Sequence, residues 1–276
     1  GIGASLIFPW YVGASCVLQA GPPRQVAAVL KTIETYKPTI FVSVPTVFAA
    51  ILALPNFNER FDLTSIRMCL SAGEVLPIST WNAWKEVTEL EILDTIGCTE
   101  TYHTFMSNRP GDIRPGSSGK PIGGYEVRLV DSDGNDVPVG EVGNLMVRGE
   151  STALFYLHQY EKSRHTFRGE WLSTGDQYVM DEDGYYWHQG RGDDMLKVGG
   201  LWVSPTEVEN ALSEHDGVAE CAVVGQHDDA GLIKPKAFVC LREDVGRSDE
   251  LLGELLQLCA RKLDAHKRPR WVIFVE

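Results

Sequence analysis

The chain has 276 residues, and 43% of them are hydrophobic, which is enough for an ordinary buried core in one large or two smaller domains. Its formal net charge is −13, and its lysines and arginines form no stripe, which argues against a nucleic-acid-binding surface. No apolar run is long enough to span a bilayer and the first residues lack the charged start of a secretory signal, so we expect neither nucleic acid nor membrane as a partner.

The six cysteines are scattered, with no Cys-x-x-Cys pair and no histidines at metal-ligand spacing. They predict reduced thiols, mostly in the core of a cytoplasmic protein. Their positions are Cys16, Cys69, Cys98, Cys221, Cys240 and Cys259.

The first part of the chain predicts helices that alternate with buried strands. Val26, Leu30 and Ile33 have helical spacing in residues 25–36, and Lys37-Pro38 ends that helix. The β-branched run 39–44 predicts a buried strand that Pro45 closes. Further helices are predicted at 47–54 and 78–87, and further strands at 68–70 and 90–96. This α/β alternation predicts a parallel sheet, whose ligands gather at the carboxyl ends of strands, here at 71–74 and 97–100.

After residue 111 the pattern changes to an antiparallel β section. Strands are predicted at 125–130, 144–147, 177–180 and 185–188, with turns at 132–135 and 181–184. We place a domain boundary at Asp193, because the glycines around it relax the backbone. The chain is thus divided into residues 1–192 and residues 193–276, a smaller α+β domain.

The small domain begins with a predicted capping box. Ser204 would cap a helix that starts at Pro205, with Glu207 three residues after the cap. Strands at 219–224 and 235–241 and a leucine-rich helix at 249–263 follow.

Two neighbouring motifs indicate a nucleotide. Ser173-Thr174-Gly175-Asp176 is an acidic turn whose carboxylate can accept hydrogen bonds from a sugar diol. The run 190–194 follows, and Arg191 can reach the same sugar or its phosphate. Either motif alone is more typical of an ordinary turn or charged loop, but together they predict a ribose or nucleotide site.

Two strand-end motifs are compatible with that ligand. In Gly97-Cys98-Thr99-Glu100, the glycine allows close backbone approach, the threonine hydroxyl can bond a phosphate oxygen, and the glutamate can bind Mg²⁺. Alone, this motif is as typical of a helix cap. Residues 71–74 are likewise an ordinary strand-to-helix turn when taken alone.

Together these motifs resemble the adenylate-forming superfamily of acyl- and aryl-CoA ligases, adenylation domains and luciferases. The sequence is most similar to the benzoate-CoA ligases, through MLKVGGLWVSPTEVE at 195–209 and Gly-Cys-Thr-Glu-Thr-Tyr-His at 97–103. The resemblance implies an ATP-dependent carboxylate-CoA ligase, selective for benzoate or a substituted benzoate, with ATP, Mg²⁺ and coenzyme A as reactants and cofactors. The resemblance is also compatible with a homodimer.

The resemblance also implies roles for individual residues. Thr99 would contact the α-phosphate, Glu100 would bind magnesium, and Asp193 would be the hinge about which the small domain rotates between two half-reactions. The ATP or AMP would be held by Gly73, Glu74, Gly97, Asp176 and Arg191. Coenzyme A would be held by Gly199, Gly200, Lys267, Arg268 and Arg270. The aryl pocket would be walled by Val44, Pro45, Gly73, Ile96, Cys98 and His103, although a single histidine is more often structural.

Both ends look cut relative to that family, whose phosphate loop would precede Gly1 and whose adenylation lysine would follow Glu276. We therefore expect this chain alone to be nearly inactive in adenylation. Two alternatives stay open: a domain that loads an acyl group onto a carrier protein, and a non-catalytic nucleotide-binding fragment. The basic run 267–270 favours coenzyme A as the acceptor, although a solvated charge run is its ordinary explanation.

Overall fold

The computed structural model describes residues 3–19, 25–192, 194–228, 231–242 and 245–275. Its helices are α1 (Phe8–Tyr11), α2 (Val26–Tyr36), α3 (Pro45–Leu52), α4 (Phe57–Arg60), α5 (Ile78–Thr88), α6 (Tyr160–Thr166), α7 (Pro205–Ser213) and α8 (Asp249–Lys262). Its strands are β1 (Ile40–Ser43), β2 (Met68–Ser71), β3 (Ile92–Gly97), β4 (Thr104–Ser107), β5 (Lys120–Pro121), β6 (Tyr125–Val130), β7 (Val142–Gly149), β8 (Phe167–Arg168), β9 (Trp171–Met180), β10 (Tyr186–Arg191), β11 (Leu196–Val198), β12 (Leu201–Val203), β13 (Val218–His227), β14 (Ile233–Leu241) and β15 (Trp271–Val275). A π-helical turn, Gly3–Ile7, and a 3₁₀ turn, Thr99–Thr101, are also present.

The first five strands form one mixed sheet in the order β1-β2-β3-β4-β5. The first three strands are parallel, as the α/β alternation predicted, and β4 and β5 are antiparallel additions. Helices α3 and α5 meet on this sheet through Phe48 and Trp84, whose rings lie 5.0 Å apart in an edge contact within a buried core. Because β2 and β3 are parallel neighbours, the segments that follow them lie side by side at one edge of the sheet.

The strand predicted at residues 39–44 is present, but the expectation that it is buried was wrong. Within the described residues β1 pairs with β2 alone, so it lies at the edge of the sheet. Ile40 is 42% and Val42 43% exposed. Pro45 begins α3, because proline suits the first position of a helix.

The second sheet is antiparallel, in the order β10-β9-β7-β6 with β8 beside β9. It confirms the predicted β section, but the acidic turn at Ser173 to Asp176 lies inside strand β9. Within that strand these residues form a bulge and not a turn. Gly175 has a φ of +83°, and the register between β7 and β9 shifts nearby, so the glycine accommodates a bulge in the strand.

The C-terminal part is a small α+β unit, as predicted. Strands β13, β14 and β15 form a three-stranded sheet, and the β11–β12 hairpin precedes helix α7. Leu212 of α7 and Leu255 of α8 pack with Val239 of β14 in its core. Asp193, the predicted boundary, lies outside the described residues, and the division of the chain at that point stays a prediction.

Half of the predicted capping box forms at helix α7. The Glu207 amide donates to Ser204 Oγ at 3.1 Å, which is the expected cap. The Glu207 carboxylate does not return to the Ser204 amide, since its Oε1 accepts a hydrogen bond from Lys267 Nζ at 2.7 Å. An ion pair across 60 residues therefore replaces the local contact.

All six cysteines are free thiols, as predicted. Only Cys69 and Cys259 are buried and the other four are half-buried, so the expectation of mostly core cysteines is met by two of them. Among the described residues, every helix is too short or too polar to cross a bilayer.

Candidate functional site

A cavity of about 760 Å³ lies where the first two sheets meet. The segments after β2 and β3 form one part of its wall, and strands β9 and β10 form another. Glu100 and Asp176, which were both predicted to hold a nucleotide, line this one cavity. The parallel pairing of β2 with β3 and the packing of the second sheet thus bring together residues that are far apart in sequence.

Glu100 is held by contacts on its backbone and on its side chain. Its carbonyl accepts a hydrogen bond from the Ala153 amide at 2.7 Å, and the Tyr156 hydroxyl donates to its Oε1. Burial is the largest single influence on the pKa of the Glu100 carboxyl and would raise it, but the hydrogen bond from Tyr156, further hydrogen bonds from the Glu100 amide and Cys98, and the charge of Lys162 together hold that pKa below its ordinary value. Burial and the same bond raise the pKa of Tyr156 to about 12. Glu100 is therefore an ionised carboxylate with one oxygen already oriented.

Asp176 is the centre of a second group of contacts. Arg191 Nη1 lies 3.5 Å and His188 Nε2 lies 3.9 Å from its Oδ1, and its side chain is 17% exposed. A Cβ on Gly175 would come within 2.8 Å of Arg191 Nη2, so the glycine leaves room for the guanidinium. The carboxylate and the guanidinium together present acceptors and donors to the cavity.

Asp94 is a cavity residue that the sequence did not single out. It lies within β3 among buried residues, and burial raises the pKa of its carboxyl to about 8. Neither Asp94 Oδ1 nor the nearby buried Ser71 Oγ has a hydrogen-bond partner in the described structure. A carboxyl with one unpartnered oxygen at a cavity wall is suited to a ligand, because a neutral carboxyl both donates and accepts. A charged residue inside an apolar strand was the signal available in the sequence.

Most of the residues predicted to bind ATP or AMP lie on the cavity wall. Thr99 is an exception, since it is exposed beside Glu100 and does not line the cavity. The predicted site residues on the wall are Gly73, Glu74, Ile96, Gly97, Cys98, Glu100, Asp176 and Arg191.

Three of the predicted aryl-pocket residues lie off this wall. Val44 is near it, since a Cβ on Gly73 would lie 3.7 Å from Val44 Cγ1. Pro45 is the buried first residue of α3. His103 contacts the Phe8 ring edge-on at 4.8 Å, and burial lowers the pKa of its imidazole.

The residues predicted to hold coenzyme A also lie away from the cavity. Gly199 and Gly200 form the tip of the β11–β12 hairpin, where their φ angles are +59° and +88°. Lys267 pairs with Glu207, and Arg268 donates to the carbonyls of Leu263 and Ala260 at 3.0 Å each. Arg270 lies 5.8 Å from the Trp271 ring centroid. Two of the three cations therefore already stabilise the small domain.

A further part of the wall comes from the segment between β7 and β9, which the sequence analysis left without an assignment. Tyr156 contributes its hydroxyl there, and Lys162, His165 and Arg168 contribute basic groups. The contact between Tyr156 and Glu100 spans 56 residues, so no local pattern could have indicated it.

The cavity fits a magnesium ion that is shared with a nucleotide. Within the described residues there is no group of three or more His, Cys, Asp or Glu side chains arranged to hold a metal. Magnesium typically uses one or two protein carboxylates and takes its remaining ligands from substrate phosphates and water. Glu100 supplies one such carboxylate, since Tyr156 occupies only its Oε1.

Comparison with known proteins gives two matches to protein families. The sequence profile of the AMP-binding enzymes matches residues 1–157. The profile of the AMP-binding enzyme C-terminal domain matches residues 207–276. Asp193 falls between the two matched ranges.

Individual relatives are similar over the whole chain. A benzoate–CoA ligase of Thauera aromatica is 45% identical over 277 aligned residues, which cover 100% of this chain and 52% of that protein. A crystal structure of an anthranilate CoA ligase in complex with anthranoyl-AMP is 58% identical with a TM-score of 0.96, and the match covers 100% of this chain and 53% of that one. A crystal structure of a benzoate CoA ligase from Burkholderia xenovorans LB400 is 43% identical with a TM-score of 0.92, and the match covers 100% of this chain and 55% of that one. The chain thus spans about half the length of these relatives.

Proposed function

Because the chain belongs to the AMP-binding enzyme family, we propose that its natural protein is an ATP-dependent ligase that joins an aromatic carboxylate to coenzyme A. The observation that carries the proposal is that Glu100 and Asp176 line one cavity of about 760 Å³. One carboxylate is suited to a metal–phosphate group and the other to a ribose diol. An adenosine phosphate is the ligand that has both.

In this proposal each part of the nucleotide has a partner. Asp176 accepts hydrogen bonds from the ribose hydroxyls, and Arg191 beside it offsets negative charge on the phosphate. The neutral carboxyl of Asp94 can accept from the amino group of the base and donate to a ring nitrogen. Glu100 would hold the metal beside the α-phosphate, and the charge of that metal would neutralise the phosphate oxygens.

The reaction has two steps. A carboxylate oxygen of the aromatic acid attacks the α-phosphorus of ATP, the bond to the β-phosphate oxygen breaks, and pyrophosphate leaves. The thiolate of coenzyme A then attacks the acyl carbonyl carbon, and AMP leaves as the thioester forms. The groups on the cavity wall contribute position and charge, and no covalent intermediate with the protein is needed.

The substrate class is a benzoate, with 2-aminobenzoate as the substituted acid to compare first. The relatives support both, since a benzoate CoA ligase is 43% identical and an anthranilate CoA ligase is 58% identical. A hydrophobic pocket does not strongly reject an analogue that adds one small polar group, so we expect both acids to react.

Pyrophosphate release and thioester formation by the natural protein test this proposal. Benzoate and 2-aminobenzoate should each give both products with ATP and coenzyme A, and Asp176→Asn and Glu100→Gln should reduce both rates. Acetate is the control acid. If a thioester forms on a carrier protein but not on coenzyme A, the acceptor is the carrier protein and not coenzyme A. If neither aromatic acid gives pyrophosphate release, the proposal is wrong. A homodimer stays a prediction, for light scattering to test.

A further inference from the structure

The cavity wall beside Glu100 carries three basic side chains, Lys162 and His165 of α6 and Arg168 of β8, which we call the basic rim. Within the described residues no carboxylate oxygen lies within 4.0 Å of their side-chain nitrogens. Some other cations of this acidic chain do have carboxylate partners, such as Arg148, which bonds Glu126 and Glu170 at 2.6 and 2.9 Å. Unpaired cations that face a cavity favour an anionic ligand.

Several contacts fix the position of the basic rim relative to Glu100. The Tyr156 hydroxyl bonds Glu100, and the Tyr156 amide donates to Ser163 Oγ of α6 at 2.9 Å. The Tyr156 and Phe167 rings lie 5.2 Å apart, which ties β8 to the same tyrosine. Lys162 Nζ lies 4.3 Å from the centroid of the Tyr156 ring. Glu100 and the rim therefore belong to one connected group.

The position of the nucleotide in the proposed function indicates which of its phosphates would lie near the basic rim. Its ribose is assigned to Asp176 and its α-phosphate to Glu100, so the rest of the phosphate chain extends past Glu100. The basic rim is the cationic surface that the cavity wall offers next to Glu100. Phosphoryl-transfer enzymes stabilise the departing phosphates with such cationic groups.

We propose that the basic rim binds the β- and γ-phosphates of ATP, and then the pyrophosphate that adenylation releases. The inference rests on the proposed function and adds a site for the leaving group, with Lys162 and Arg168 as its permanent charges. The diphosphate of coenzyme A offers the same chemistry, so a test has to separate these two sources.

Calorimetric titration of the natural protein with AMP, ATP, pyrophosphate and coenzyme A makes this separation. Lys162→Gln and Arg168→Gln should each weaken ATP and pyrophosphate binding about tenfold, as expected for the loss of one charge-assisted contact, and leave AMP and coenzyme A within about twofold. Lys162→Arg should retain most of the ATP affinity.

Arg164→Gln is the matched control. Arg164 lies on the same helix, its guanidinium is 5.9 Å from the Tyr160 ring centroid, and it does not line the cavity, so its substitution should change none of the four affinities. Equal ATP affinity in wild type and both glutamine variants would overturn the inference, as would a loss confined to coenzyme A. Failure of wild type to bind AMP would instead contradict the proposed function.

Discussion

The Tyr156 hydroxyl donates a hydrogen bond to Oε1 of Glu100, and the two residues are 56 positions apart in the sequence. The bond is the strongest of several contacts that oppose the effect of burial and together keep the pKa of the Glu100 carboxyl below its ordinary value. It also leaves the other carboxylate oxygen for a metal ion. The state of the proposed metal ligand thus depends on a residue from another part of the chain.

Tyr156→Phe should raise the Glu100 pKa, because burial would then act without the opposing hydrogen bond. A carboxyl with a lowered pKa keeps its charge until the pH falls through that lowered value, so the variant should lose its charge at a higher pH than wild type. We expect the variant to bind ATP in the presence of Mg²⁺ about threefold to tenfold more weakly than wild type, with the larger difference at pH 5 than at pH 7.5. Titrations of ATP binding at the two pH values measure this. Tyr160→Phe is the control, since Tyr160 is 71% exposed. A loss equal at both pH values would contradict the account.

Asp94→Asn should change how stability depends on pH. The folded pKa of Asp94 is raised to about 8, so the folded state binds the proton more tightly than the unfolded state. The tighter binding of this proton stabilises the folded state at acid pH. The stabilisation is lost as the pH rises from the ordinary pKa of an aspartate through about 8, and the free energy of unfolding falls by at most about 1.4 kcal/mol per pH unit over that range. Urea unfolding at pH 5.5 and pH 8.5 should show a smaller difference in the variant. The exposed Asp133→Asn should behave as wild type, and a parallel profile for Asp94→Asn would refute the burial argument.

Gly97→Ala should destabilise the protein and displace the segment 97–100. A Cβ at Gly97 would lie 2.3 Å from the His103 carbonyl oxygen, and backbone atoms cannot move away as a side chain can. We expect a loss of about 2 kcal/mol or more in the free energy of unfolding. Gly123→Ala is the control, because a Cβ there meets no atom within 4 Å. Equal urea midpoints for the two variants would show that the close approach at Gly97 is absent.

The basic run 267–270 should separate into structural and exposed positions. Arg268→Gln should lower the unfolding free energy by about 1 to 2 kcal/mol, since Arg268 donates to the carbonyl of Ala260 in the last turn of helix α8 and to that of Leu263 directly after it. Arg270→Gln should leave stability nearly unchanged and raise the KM for coenzyme A severalfold if that cation meets the coenzyme. Thermal unfolding and thioester kinetics measured on both variants check this. A large loss of stability in Arg270→Gln would contradict the division.

The sequence predicted the fold class because the period of its apolar residues reports local structure directly. The helix at 25–36 and the leucine-rich helix at 249–263 lie within one residue of α2 and α8. Burial of β1 was predicted wrongly, because an apolar run does not reveal whether a strand has one neighbour or two. Ser173 to Asp176 was assigned to a turn because a glycine that accommodates a bulge in a strand looks the same in sequence as one in a turn.

The candidate site was predictable where its residues form short motifs. Gly97 to Glu100 and Gly175-Asp176 each combine a glycine with a polar group, and the structure places Gly97, Glu100 and Asp176 on one wall. Tyr156 and the basic rim had no such motif, since their relation to Glu100 exists only after the segment between β7 and β9 folds back. Asp94 carried a signal, a charge in an apolar strand, that was not used.

The most direct test of the central claim is a calorimetric titration of the 276-residue chain with a non-hydrolysable benzoyl-adenylate analogue. Wild type should bind one equivalent, and Asp176→Asn, with its fold checked by circular dichroism, should bind about tenfold more weakly because a ribose contact is lost. Equal affinity in the two proteins, or no binding to a folded wild type, would show that Glu100 and Asp176 do not enclose an adenosine.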